Sequence, residues 1–221
     1  MGFLAWLLSQ CRRPRGCVGR FLARGMNREH APMTDWALSQ VSIRDSRCVL
    51  DVGCGGGAAL MKLANLLPRA ELHGIDYSPE SLKIAARTNR HLIREGRIFI
   101  REANVSQLPY ENEHFDLIIA IESHYFWPDL KEDLAELRRV MRHGGKVILV
   151  GGVYFGGKSD SRNRKLAAIG SMNCQTLAEL RETLCEAEYA DVEVHEEWKK
   201  GWFCIVGHKP PRGEVDYTPD A

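Results

Sequence analysis

Hydrophobic positions along this chain switch repeatedly between a strand period and a helix period, and the order of the switches predicts its architecture. Apolar runs of strand length stand at about 47–52, 71–76, 97–102, 115–121 and 146–150. Phe115-Asp116-Leu117-Ile118-Ile119-Ala120-Ile121 is the most hydrophobic of them and suits the middle of a sheet. Helical spacing appears at 58–67, which Pro68 ends, and at 79–93, where Leu82, Ala85, Ala86, Asn89, Leu92 and Ile93 share a face and Gly96 closes the helix. A third helix over 130–141 buries Leu130, Leu134, Leu137, Val140 and Met141, starts at Asp129 with capping-box spacing to Glu132, and stops at Gly144-Gly145. Ser78-Pro79-Glu80 is a helix start with a hydroxyl cap, proline in the first turn and an acid near the positive end of the dipole. This βαβ order predicts a largely parallel sheet with right-handed crossovers and helices on both faces.

The two ends depart from that alternation. Ala31 to Val41 is predicted as a short helix with Trp36 as its one large aromatic. Residues 153–175 have weak periodicity, three glycines and Arg162, Arg164 and Lys165, and are expected to be a lid or substrate loop. Thr176 to Glu179 forms a second capping box and starts the last helix. Val192-Glu193-Val194-His195 and Trp202 to Val206 then flank a short loop containing Gly201, so they must pair antiparallel. From Lys209 on, Pro210, Pro211, Gly213 and Pro219 predict a frayed tail. The resulting organisation is a basic helical lid over 1–44, one domain over 45–208 and a flexible tail over 209–221.

Composition narrows the classes of function. With 221 residues, 44% of them hydrophobic, the chain supports one ordinary core. Thirty basic against 29 acidic side chains leave a net charge of +1, which gives no support for a nucleic-acid partner. Seven cysteines, with no C-x-x-C pair and with Cys48, Cys185 and Cys204 in apolar runs, suit buried thiols in a reducing cytosol better than disulfides or zinc. No apolar run reaches the roughly 20 residues that cross a bilayer, so no transmembrane segment is predicted. Gly2 to Leu8 is followed by Arg12, Arg13, Arg15, Arg20, Arg24 and Arg28 without an acid. That order is wrong for a secretory signal; it overlaps with organelle-targeting peptides and also reads as a basic amphipathic lid suited to peripheral contact.

The candidate chemistry sits where the strands end. Val49-Leu50-Asp51-Val52-Gly53-Cys54-Gly55-Gly56-Gly57 is a strand running through an acid into a glycine loop and then a helix. Such a loop brings a ligand against bare backbone at a helix N-terminus. Asp76, at the end of the next strand, suits a ribose diol, Tyr77 offers a flat face for a purine, and Asn104 an amide for its edge. These features imply an adenosine-containing cofactor. Gly53-x-Gly55-x-x-Ala58 also satisfies the loose dinucleotide fingerprint, but a carboxylate at Asp51 would repel a pyrophosphate and attract an ammonium or sulfonium.

In these residues the chain resembles the class I S-adenosylmethionine-dependent methyltransferases, within them the small-molecule branch similar to the ubiquinone/menaquinone-biosynthesis type. The first glycine motif, Gly74-Ile75-Asp76-Tyr77-Ser78, Ala103-Asn104-Val105 with Leu108-Pro109-Tyr110, Phe115 to Ala120 and Leu137 to Gly145 match its motifs in order over about 45–208. The resemblance implies an α/β fold: a Rossmann-like, doubly wound, seven-stranded sheet, mostly parallel with an antiparallel last strand. It implies S-adenosyl-L-methionine as cofactor, held by Asp51, Gly53, Cys54, Gly55, Gly57, Asp76, Tyr77, Asn104, Val105 and Ile121. Asn104 stands where the family usually has aspartate; its amide oxygen can still accept from the adenine amino group.

Methyl transfer asks the protein to align the partners, exclude water and, where the nucleophile carries a proton, supply a base. Candidates for the last task follow strand four, His124 for its pKa and Glu122 for its carboxylate. Trp36, Tyr125, Phe126, Trp127 and Tyr154 are expected in the substrate pocket, and His30 with Trp36 is placed to close over the cofactor. An Asn/Asp-Pro-Pro-Tyr signature is absent, which disfavours base N-methylation, and the loops lack the acid cluster of a metal-dependent site, so no metal is predicted. A small organic acceptor in a cytoplasmic enzyme is the resulting expectation, its oligomeric state open. The alternatives are an NAD-dependent oxidoreductase and a scaffold that binds the cofactor without turnover.

Overall fold

Cys48–Val52 is buried at every residue, as a strand covered on both faces must be. In the computed structural model, which describes residues 30–213, this strand, β1, lies in the middle of a seven-stranded sheet. The readings made above for 1–29 and 214–221 fall outside the described residues. The elements in order are α1 (Ala31–Gln40), β1, α2 (Ala58–Leu66), β2 (Glu71–Asp76), α3 (Pro79–Thr88), α4 (Arg90–Arg94), β3 (Ile98–Glu102) and β4 (Phe115–Ile121). There follow α5 (Leu130–Val140), β5 (Met141–Gly151), α6 (Asp160–Gly170), α7 (Leu177–Glu186), β6 (Ala190–Glu197) and β7 (Trp202–His208).

The strand order is β3-β2-β1-β4-β5-β7-β6. Pairs up to β5 are parallel; β7 runs antiparallel to both β5 and β6, the hairpin that the short Gly201 loop requires. Alternate residues of each central strand feed separate cores on the two faces. Leu50, Ile118 and Leu149 meet Leu134, Leu137 and Leu184 on one side; Val49, Leu117, Ile119 and Ile148 meet Leu60, Leu63 and α1 on the other. The strand order reverses between β1 and β4, so the crevice above their C-terminal ends is where this architecture places a ligand.

Four local expectations change. The helix expected over 79–93 is broken at Asn89, which is buried and turns its side-chain amide back to donate to Ala85 O (3.0 Å) and across to Gly57 O (2.9 Å). A side chain that bonds its own backbone competes with the helical ladder, and here it ties α3 to the glycine loop. The 153–175 segment contains α6, whose buried Asn163 donates to Tyr154 O (2.9 Å), so the segment is a largely exposed helix pinned to the chain after β5 and not an irregular loop. Cys185 is exposed because it lies on the outer side of α7, despite its apolar neighbours. Order continues to Lys209, whose buried ammonium donates to Arg138 O (2.9 Å) and Met141 O (2.8 Å) while its backbone pairs with Gly144 and Gly145. The glycine pair therefore lies inside β5, in the shift of register between Phe115–Met141 and Leu117–Lys146.

The 31–40 helix packs as part of the domain. Met33 and Ala37 are buried with Cys204 and Val206, and the Cys204 thiol lies 3.9 Å from Ala37 O. Among the described residues no helix is long and apolar enough to cross a membrane.

Candidate functional site

At the end of β1 the backbone turns sharply. Gly53 N and Cys54 N both donate to Ile75 O at 2.9 Å, folding the loop over β2. Gly57, at φ 76°, is the left-handed N-cap of α2, and a methyl there would meet Asn89 Nδ2 at 2.4 Å. Gly55, at φ 52°, differs: an added methyl would find only Gly53 O, at 4.0 Å, so this stretch of backbone faces open space. Its amide donates to Asp76 Oδ2 (2.9 Å), and Ser78 N donates to Asp76 Oδ1 (2.8 Å). Two strand ends are thus latched by one carboxylate. Replacing Gly55 by alanine is expected to lower ligand affinity at this loop by about tenfold, because the added methyl stands where the ligand meets the backbone, while roughly 1–2 kcal/mol of left-handed strain lowers the stability of the fold itself. Calorimetric titration of the variant checks this, and an unchanged Kd would show that no ligand approaches Gly55.

The two acids at the strand ends sit in an unusual field. Burial pushes the Asp51 carboxyl up to about 7, and the charge of Asp76 adds to the effect. Asp51 is 1% exposed and its Oδ2 has no hydrogen-bond partner. Asp76 is also raised by burial, but the amides of Ser78 and Gly55 oppose the rise. A buried carboxylate oxygen without a donor is costly, and a cationic ligand group would remove that cost.

Above this floor lies a cavity of about 660 Å³. Of the residues named from the sequence, Asp51, Gly53, Cys54, Gly55, Asp76, Tyr77, Asn104, Val105, Ile121, Glu122, Phe126 and Trp127 line it. Gly57, Trp36, Tyr125, Tyr154 and His124 do not, for reasons that differ. Gly57 shapes the loop from behind. Trp36 packs its ring 6.3 Å from that of Trp202 on the sheet side of α1. Tyr125 is buried and donates to Glu122 Oε2 at 2.6 Å, and buried Tyr154 donates to Glu196 on the far hairpin.

The expectation that His124 is a base is corrected by its surroundings. The ring is 4% exposed and enclosed by Tyr125, Trp127 and Phe203 at centroid distances of 4.9, 6.4 and 5.5 Å. Burial pushes its pKa down to about 3, so it stays neutral inside the aromatic core and meets no solute. Glu122 keeps its place on the cavity wall at φ 55°, with Oε1 accepting from Gly152 N and Oε2 from Tyr125. It ties the end of β4 to the end of β5.

Sequence reasoning missed one wall. Ala58, Met61, Lys62, Asn65 and Leu66 on α2 face the cavity at i, i+3, i+4, i+7 and i+8, beside the start of α1 with Ala31, Thr34 and His30, the last of which the sequence had already placed near the cofactor. That spacing was legible, but it is a second face of a helix whose buried face had already explained its pattern. Lys62 holds the two helices together, donating to Ala31 O (3.3 Å) and pairing with Asp35.

Residues 49–145 match the family model described as a methyltransferase domain. The chain is 34% identical over 119 residues to a phthiotriol/phenolphthiotriol dimycocerosates methyltransferase of Mycobacterium leprae, a match spanning 54% of this chain and 42% of that relative. The chain thus spans less than half the length of this curated relative. In structure it resembles a chain of the Haloferax volcanii complex between a methyltransferase and a methyltransferase activator, with a TM-score of 0.74 at 19% identity over 95% of this chain and 99% of that one. It also resembles phosphoethanolamine N-methyltransferase 2 of Haemonchus contortus in complex with S-adenosyl-L-methionine, with a TM-score of 0.69 at 17% identity over 81% and 52% of the two chains.

Proposed function

We propose that this chain, which carries a methyltransferase domain of the class I S-adenosylmethionine-dependent type, transfers a methyl group from S-adenosyl-L-methionine to a small organic acceptor. The observation that carries the reading is the buried, unpartnered oxygen of Asp51 at the foot of a cavity whose floor is bare glycine backbone. Asp51 suits the cofactor's ammonium. Asp76 has already bonded two amides through one lone pair on each oxygen, and the remaining lone pairs suit the two ribose hydroxyls. Tyr77, half-exposed at the rim, offers its ring to the purine. Asn104 Oδ1 already accepts from both Ser106 N (3.3 Å) and the Ser106 hydroxyl (3.5 Å), so its amide nitrogen is read as the group offered to the purine edge, a donor where the sequence suggested an acceptor.

The bound cofactor supplies a methyl on a sulfonium, a very good leaving group. The chain's own tasks are then positional. Ile121, Phe126, Trp127 and Pro128 after β4 and Ala58, Ala59, Met61 and Leu66 on α2 give the cavity an apolar lining that excludes water. Against that lining an acceptor with an apolar body fits better than a charged one. Glu122, the carboxylate that lines this side, is read as the group that orients the acceptor's proton, held still by Gly152 and Tyr125.

The test has two arms. Calorimetry should show S-adenosylmethionine and S-adenosylhomocysteine binding while NAD does not; tighter binding of NAD would overturn the assignment. Release of S-adenosylhomocysteine is then measured across thiols, amines, phenols and quinols carrying short and long apolar tails. Turnover is expected to rise with the apolar tail, and turnover that favours the most polar members would refute the acceptor class.

A further inference from the structure

The end of the sheet where β1, β2 and β4 begin, opposite the glycine loop, gathers four side chains that do not line the cavity. Cys48 opens β1, Glu71 and His73 open β2, and His114 stands immediately before β4. Cys48 and Glu71 are direct partners in the parallel ladder, and Glu71 and His73, two apart on one strand, point to the same face. One potential ligand atom from each of the four, a sulfur, a carboxylate oxygen and two imidazole nitrogens, lies within 4.8 Å of the others. His73 Nε2 is 2.7 Å from Glu71 Oε1, and His114 Nε2 is buried without a hydrogen-bond partner.

We propose that this cluster is a structural site for a divalent transition-metal ion of the zinc type. A thiolate with two imidazoles and one carboxylate is a four-coordinate set of intermediate softness, whereas calcium and magnesium ask for oxygen alone. The two anionic ligands, Cys48 and Glu71, would balance the two positive charges of the ion. Ligand atoms around tetrahedral zinc stand roughly 3.3 to 3.8 Å apart, so the cluster closes by about an ångström through side-chain rotation on a backbone held by the ladder. The rings are already oriented: His73 stacks on Phe99 at 5.1 Å with 21° between planes and meets Tyr110 and Phe115 edge-on, while His114 stacks on Tyr110. A bound ion would join β2, β1 and the entry to β4, three neighbours in the sheet, at the end remote from the cofactor. The absence of a C-x-x-C pair argued against zinc in the sequence because these ligands come from three separate strands.

The experiment titrates the chelator-treated full chain with Co²⁺ and follows the tetrahedral absorption bands and the thiolate-to-cobalt charge-transfer band. One equivalent is expected to bind with a thiolate band that Zn²⁺ displaces. Cys48→Ser should abolish the band, and His114→Gln should weaken binding beyond the roughly 10- to 100-fold typical of losing an outer-shell partner. S-adenosylhomocysteine affinity should stay unchanged in both variants, which confirms folding independently of the metal. The absence of a thiolate band in the wild type, or its survival in Cys48→Ser, overturns the proposal. If Cys48→Ser fails to fold, the partly exposed His114→Gln decides by the same band.

Discussion

Asp51→Asn is expected to stabilise the ligand-free protein above pH 7 and, in the same variant, to weaken S-adenosylmethionine binding by tenfold or more. The two effects share one cause. The folded-state pKa of Asp51, about 7, stands above its ordinary value of 3.8. Between those values the folded protein holds a proton that the unfolded chain releases, so stability falls as pH rises from about 4 to about 7 and then levels off. At about 1.4 kcal/mol per unit the cost has a ceiling of roughly 4 kcal/mol. Asparagine carries no charge to bury and removes that slope, but it also removes the partner for an ammonium. Urea unfolding at pH 5 and pH 8, with calorimetry of the cofactor, checks both halves. Parallel pH profiles in wild type and variant would show that Asp51 is not the strained group, and unchanged affinity would mean that no cation seats there.

Asp76→Ala is expected to lower cofactor affinity by about 1–3 kcal/mol, roughly 5- to 150-fold, the usual cost of losing a charge-assisted hydrogen bond. It also unlatches the strand ends, since Gly55 N and Ser78 N lose their acceptor. Asp76→Asn separates the terms. It can keep an acceptor for one amide while losing charge, so a loss common to both variants reports the carboxylate, and a loss confined to alanine reports the latch. Because Asp76 helps raise Asp51, either variant should also flatten the pH dependence of stability, a coupling that a double-mutant cycle measures. Wild-type affinity in Asp76→Ala would remove the ribose assignment.

Much of this was legible before any coordinates. Strand periods placed β4 at its observed bounds, the Thr176–Glu179 capping box is present, and the short Gly201 loop implied the antiparallel hairpin. The glycine loop and Asp76 announced a ligand floor by chemistry that depends on neighbours in sequence. His124, Tyr125 and Tyr154 were harder. In a loop, sequence gives no period from which to tell a side chain aimed at the cavity from one turned into the core, and His124 turned inward while Phe126 and Trp127 line the cavity. Asn89 illustrates the converse, since its break in the helix follows from a bond to Gly57, thirty-two positions away.

Local rules therefore determined most of the elements, their order, the parallel sheet and the expectation of a cavity at the strand ends, but not α6, the break at Asn89 or the start of β5 at Met141. They rest on interactions within a few residues: period, caps, turns and glycine conformations. Tertiary structure alone decided which side chains share the cavity, that α2 and the start of α1 form its far wall, that Asp51 is desolvated enough to reach a pKa of about 7, and that Cys48, Glu71, His73 and His114 converge. Each of those depends on dielectric environment or on distances across strands, which arise only when remote segments pack.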